Sequence, residues 1–195
     1  MNPPNILAAL VPVADALERL GIPYHIGGSV ASSAHGIARA TLDVDLVADL
    51  APAHVRPLVE MLQETCYIDE EMVREAVQRR SSFNIIHLET VLKVDVFVLK
   101  TRPYDQEAFR RIRRDTLDEA QDARAFYVAS PEDVILNKLE WYRLEGGVSD
   151  PQWNDVLGVL KVQRDSLDYD YLRRWAADLR VSDLLDRALG DAGIS

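Results

Sequence analysis

Apolar residues recur at helical spacing between Asn5 and Leu20, and the run stops at Gly21-Ile22-Pro23, so the pattern predicts one amphipathic helix with a firm end. Pro12 marks either its true start or a kink. Tyr24-His25-Ile26 reads as a short strand running into Gly27-Gly28, with Ser29 as the N-cap of a short helix closing at Gly36. From Leu42 to Val47 the period changes to two: Leu42, Val44 and Leu46 point one way, Asp43 and Asp45 the other. Pro52 to Glu64 carries Val55, Leu58, Val59 and Leu62 at helical spacing, and Asp69 to Arg80 reads as another helix. Phe83–Leu88 and Val91–Leu99 form an expected antiparallel pair joined around Glu89-Thr90. In its second member Val94, Val96 and Val98 face a core and Asp95 faces away. Pro103 to Arg114 reads as a helix and Phe126-Tyr127-Val128 as a closing strand.

Ser130-Pro131-Glu132-Asp133 marks a helix start, with a capping serine, a proline in the first turn and acids against the dipole. Beyond it only helices are expected, one beginning at Asp150-Pro151 and one with Leu172, Trp175 and Leu179 as its apolar stripe. These elements predict an α/β (α+β) chain: a small mixed β-sheet core flanked by helices over residues 1–129, and a C-terminal helical region packed on it over 130–195. A length of 195 residues suits one domain, or one domain with such an appendage.

Composition narrows the setting. No apolar run approaches the ~20 residues of a membrane helix, and Met1-Asn2-Pro3-Pro4 lacks the basic start and cleavage pattern of a signal peptide. The single cysteine, Cys66, has no internal disulfide partner and no metal-ligand spacing, which points to a reducing, cytoplasmic setting. A net charge of −10 argues against duplex DNA as a partner. Arg110, Arg111, Arg113 and Arg114 form a local basic cluster and Arg79-Arg80 a smaller one. Each reads first as a solvated helix face, the alternative being a contact for a phosphate-rich acceptor.

The candidate chemistry lies where strand, glycines and helix follow one another. That order aims free backbone N–H groups and the positive end of a helix dipole at whatever binds above the strand, which makes a phosphate site. Asp43, Asp45 and Asp95 sit on the polar faces of two expected strands and converge there. Two such charges ~4 Å apart repel by about 4 kcal/mol at an effective dielectric near 20, so without a cation they protonate in part. Hard oxygen ligands with no accompanying Cys or His pattern suit Mg²⁺, or Mn²⁺, rather than zinc.

Gly27-Gly28-Ser29, the helical turn through His35-Gly36, and Arg39, Thr41, Asp43 and Asp45 resemble the signature of the polymerase-beta-type nucleotidyltransferase superfamily. The interval from Ser29 to Asp43, 43 − 29 = 14 positions, suits that pattern, and Asp95 matches its third acid. The resemblance covers roughly residues 24–99. His35-Gly36, Arg39-Ala40-Thr41 and the later Ser-Pro-Glu-Asp helix with Lys138 are more narrowly similar to the AbiEii-like toxin nucleotidyltransferases and their bacterial relatives. The stretch between Lys138 and Asp155 departs from that subgroup by carrying Glu145-Gly146-Gly147 in place of a basic run.

What the resemblance implies is transfer of a nucleoside monophosphate from an NTP to an acceptor hydroxyl, on an RNA end such as tRNA, a protein or a small molecule. Asp43, Asp45 and Asp95 would be the catalytic and metal-binding acids, Asp95 also taking the hydroxyl proton. Gly28, Ser29, Arg39, Thr41, Lys138 and Asp155 would form the nucleotide site, and an antitoxin is the implied protein partner. His35 reads as a helix-end residue, and Trp141 and Tyr142 as core or base-stacking aromatics. Two alternatives stand beside this reading: a non-catalytic nucleotide-binding or toxin–antitoxin module of the same fold, and a sugar-nucleotide glycosyltransferase built on Asp43-Val44-Asp45.

Overall fold

The computed structural model describes residues 6–117 and 123–194. Met1–Asn5, including the expected helix start at Asn5, lie outside the described residues. Helix α1, Ile6–Arg19, runs through Pro12 without a break. Its buried stripe of Ala9, Leu10, Val13, Ala14, Ala16 and Leu17 outweighs the roughly 3 kcal/mol that an interior proline costs. Strand β1 (Tyr24–Ile26) leads into α2 (Gly28–His35), and β2 covers Asp43–Ala48. A 3-10 turn at Pro52–His54 opens α3, Val55–Leu62. β3 (Cys66–Tyr67) and α4 (Glu70–Arg79) follow, then β4 (Ser82–His87), β5 (Lys93–Val98) and α5 (Pro103–Arg110). β6 is Arg113–Thr116 and β7 Ala125–Val128. Four helices complete the chain: α6 (Pro131–Leu144), α7 (Asp150–Gln163), α8 (Tyr169–Asp178) and α9 (Ser182–Asp191).

The seven strands form one mixed sheet in the order β3-β4-β5-β2-β1-β7-β6. β2 pairs with β5 in parallel and with β1 in antiparallel fashion, so the acid-bearing strands sit side by side at the centre. Val44, Leu46 and Ala48 of β2 and Val94, Val96 and Val98 of β5 are buried on one face, which α1 covers. The opposite face carries Asp43, Asp45 and Asp95. α2 packs against β2, and α6 and α7 pack on α2.

Several local expectations are corrected. Leu42 precedes β2 and is 71% exposed, because alternation continues only as far as the sheet pairing does. The cap of α2 is Gly27, not Ser29, since the helix begins two residues earlier, with Gly28 at φ +53°. The helix expected to reach Arg114 stops at Arg110, and Arg113-Arg114 belong to β6, which pairs with β7. The arginine cluster is therefore divided: Arg110 pairs with Glu107, while Arg111 reaches back to Glu132 and lies over the Tyr171 ring. Glu132 and Asp133, expected as first-turn acids, are both buried. Ser130 caps the Asp133 N–H, and the Asp133 carboxylate accepts from Ser130 Oγ at 2.6 Å and the Tyr171 hydroxyl at 2.7 Å.

The approach of α2 to α7 requires glycine. A Cβ at Gly36 would stand 2.7 Å from Val159 N and 2.9 Å from the Gly158 carbonyl carbon, both backbone atoms that cannot step aside. Gly36→Ala is expected to cost about 1–3 kcal/mol through overpacking, read as a lower urea midpoint with an unchanged slope.

Candidate active site

Glycine at position 28 lets the start of α2 touch β2. A Cβ there would fall 1.7 Å from Asp45 Oδ2, so any side chain displaces the carboxylate. Gly27 N–H donates to the Asp45 carbonyl at 2.9 Å and fixes the two elements edge to edge. The first turn of a helix, which favours an anion, and an acid, which favours a cation, are thus held in contact.

Across the parallel β2–β5 pair, Asp45 stands directly opposite Asp95, with Asp43 opposite Lys93. In-register parallel pairing sends these four side chains to one face. The three acids do not draw together into a ligand set: among the described residues, no group of three or more His, Cys, Asp or Glu is placed to hold a metal ion. Their side chains instead take the nearest partners on the same face. Asp95 turns to Lys93, Nζ to Oδ2 2.7 Å, and Asp43 accepts from Thr41 Oγ1 at 2.7 Å. Asp45 is left with the electrostatic cost. Burial first, then repulsion from Asp43 and Asp95, pushes its pKa up to about 6, against a partial offset from Lys138 and Lys93.

A second network adjoins the first. Asp155, on α7, receives Arg39 Nε and Nη2 at 2.8 and 2.9 Å and Lys138 Nζ at 2.8 Å. Burial opposes ionisation of Asp155, but these two cations outweigh it and hold the carboxyl below its ordinary range. Arg39 also donates to Ser29 Oγ at 2.5 Å, which ties the loop before β2 to the first turn of α2. Lys138, on α6, is 7% exposed, with its charge directed at Asp155 and felt by Asp45.

Gly28, Ser29, Arg39, Thr41, Asp43, Asp45 and Lys138 all line one cleft of about 770 Å³. Asp95 and Asp155 are set back from its wall, each paired with cations. His35 is not in the cleft and its Nε2 meets the Ala129 carbonyl at 2.8 Å, as its place at a helix end suggested. Tyr142 is buried against Trp153, ring centroids 5.1 Å apart, whereas Trp141 is half-exposed in the cleft and packs on Phe97. Sequence reading missed three groups here. Lys93 was detectable as a cation two residues before Asp95 on the same face. His25 and Arg102, the latter bridging Asp105 and Glu140 at 2.6 Å each, left no periodic signal because their roles depend on helices packed from elsewhere.

The donor set suits a divalent cation. It is made of carboxylate oxygens, one of them raised in pKa by burial and then by the repulsion a metal would relieve, and seated against a glycine whose missing side chain gives it room.

No protein-family model matches this sequence, and no curated protein sequence does. Solved structures do. ANT(2″)-Ia in complex with adenylyl-2″-tobramycin superimposes with TM-score 0.59 at 13% identity, over 90% of this chain and 98% of that one. An antigenic nucleotidyltransferase-like protein from Paracoccidioides brasiliensis gives TM-score 0.55 at 18% identity, over 94% and 92%. The lincosamide antibiotic adenylyltransferase LnuA, lincomycin-bound, gives 0.51 at 13%, over 78% and 95%. The chain therefore has the mixed-sheet fold seen in nucleotidyltransferases.

Because the folded pKa of Asp45 lies above its unfolded value, its contribution favours folding below pH ~4 and is lost as pH rises through about 6. In metal-free protein at pH 7, Asp45→Asn is expected to stabilise by about 1–3 kcal/mol and to flatten the pH dependence between 4 and 6, measured by thermal melts. Added Mg²⁺ should raise the melting temperature of the parent protein more than that of the variant.

Proposed function

We propose that the protein is a metal-dependent nucleotidyltransferase that moves a nucleoside monophosphate from an NTP to an acceptor hydroxyl. The observation that carries the reading is the contact between Gly28 and Asp45, which brings a helix N-terminus, an acid pair and two anchored cations to one cleft. The solved structures of like fold include one described as a lincosamide antibiotic adenylyltransferase and one in complex with adenylyl-2″-tobramycin, which supports the same class of reaction.

In this reading the triphosphate lies along α2, its oxygens taking the Gly28 and Ser29 N–H groups and the Ser29 hydroxyl. Arg39 and Lys138, fixed by Asp155, face its negative charge, and Thr41 keeps Asp43 in its rotamer. Asp43, Asp45 and Asp95 would hold Mg²⁺ or Mn²⁺, which when bound screens the triphosphate and stabilises charge developing on the leaving pyrophosphate. The acceptor oxygen forms its bond to the α-phosphorus while the bond from that phosphorus to the bridging oxygen breaks. Asp95, once parted from Lys93, accepts the hydroxyl proton.

One observation favours a second reading. Lys93 already neutralises Asp95 as a cation would, which suits a nucleotide-binding module without turnover. The Lys138–Asp155 pair supports the AbiEii-like likeness, and within the arginine cluster Arg111 is engaged by the buried Glu132 while Arg113 and Arg114 stay exposed on β6.

With α-labelled NTPs, Asp43→Asn or Asp95→Asn is expected to lower transfer by on the order of 10²–10³-fold, and full activity in the double variant would refute the assignment. Lys138→Ala should weaken nucleotide binding about tenfold or more by calorimetry. Lys93→Ala should tighten Mg²⁺ binding if the chain is an enzyme; unchanged metal affinity with no turnover would favour the binding module.

A further inference from the structure

Beyond Asp45 the cleft continues over the sheet to a region that none of the phosphate-facing residues occupies. His25 of β1 is the partner of Val47 of β2, and Val47 of Phe97 of β5, so the three lie in a row on the polar face. α5 and α6 close over this row with Tyr104 and Trp141. Two features set the region apart. Its floor is apolar, and His25 is buried with a ring nitrogen, Nδ1, that finds no hydrogen-bond partner among the described residues. Buried polar atoms are nearly always satisfied, so an imidazole nitrogen without a protein partner among the described residues, in a ring that lines the cleft, points to a hydrogen bond with a ligand there.

We infer that this region is the acceptor chamber, that the acceptor is a small amphipathic alcohol with an apolar face, and that His25 positions it by a hydrogen bond to a hydroxyl. The inference rests on the nucleotidyl-transfer reading and names the acceptor class for it. A hydroxyl both donates and accepts, so it satisfies either tautomer of a neutral imidazole. The imidazole is neutral because burial lowers its pKa to about 4, which leaves it no charge with which to hold an anion. On the opposite wall Arg102 is shared between Asp105 and Glu140, and Lys100 stands beside them at the exposed rim. An apolar body is accommodated by Val47, Phe97 and the half-exposed Trp141, whose ring stands 6.4 Å from Phe97 at 63°.

Size agrees. Small-molecule sites span roughly 300–1,000 Å³, and a cleft of about 770 Å³ suits two small ligands side by side. His25 and Asp45 are separated by one strand spacing and two residues of rise, roughly 8 Å between Cα atoms. One hydroxyl of a small molecule held at His25 thus leaves another within reach of a phosphorus above Asp45. An RNA end asks for a cationic wall, whereas this wall is apolar at Val47 and Phe97 and the chain carries a net charge of −10.

The test uses the intact protein with Mg²⁺, the four α-labelled NTPs and a cell extract divided into small-molecule, RNA and protein fractions. Nucleotide binding is measured separately by calorimetry with a non-hydrolysable NTP analogue. Label entering the small-molecule fraction is expected. Label in RNA or protein, or in no fraction although nucleotide binds, overturns the acceptor class; absence of nucleotide binding overturns the transferase reading and this inference with it.

A second measurement follows the ¹⁵N signals of the His25 ring while 2-phenylethanol is added, with toluene as the hydroxyl-free control. The alcohol should shift them and toluene should not. His25→Phe and the milder surface change Trp141→Ala should each weaken 2-phenylethanol binding at least fivefold with nucleotide affinity unchanged. Equal alcohol binding in both variants, or a loss of nucleotide affinity in Trp141→Ala, overturns the assignment of this chamber to the acceptor.

Discussion

Asp155 holds two cations at once, and the site is organised around that fact. Its carboxylate is buried on α7, where an unpaired charge would be costly, and it is tolerated because Arg39 and Lys138 close on it from two other parts of the chain. The reverse also holds: two long, flexible side chains are fixed at the cleft because a single acid behind them accepts from both. Arg39 then reaches Ser29, so the loop before β2, the first turn of α2, and helices α6 and α7 are tied through one buried group. Removing one member of such a set leaves uncompensated charge, which costs far more than the exposed ion pairs on α4 contribute.

The second constraint is repulsion. Parallel, in-register pairing of β2 with β5 places Asp45 against Asp95 with no freedom to separate along the strand. The chain answers with Lys93 on Asp95 and Thr41 on Asp43, and leaves Asp45 raised in pKa beside a glycine. In the proposed reading a divalent ion would take over from Lys93 and relieve the repulsion at Asp45 together.

Particular residues show how much could be read in advance. Asp43, Asp45 and Asp95 were placed on one face by alternation alone, and that placement holds because a strand's two-residue period is a local property of the backbone. Ser130 as cap of α6 was legible for the same reason, since a cap is a contact with a residue three positions away. Leu42, Ser29 and Arg113-Arg114 were misplaced at element ends, where pairing by distant strands and the choice of which glycine turns the chain decide the boundary.

By itself the sequence determined which acids share a face, where a helix follows a glycine turn, and that the chain is acidic with an apolar core. Those are consequences of period, backbone freedom and composition, each set within a few residues. Only tertiary structure decided that Asp95 would pair with Lys93 rather than point at its fellow acids, that Asp155 would collect Arg39 across 116 positions, and that His25 Nδ1 would be buried without a hydrogen-bond partner among the described residues. Each of these depends on which charges and helices are packed within a few ångströms. Electrostatic and hydrogen-bond energies fall off over that distance in space, and separation along the chain does not record it.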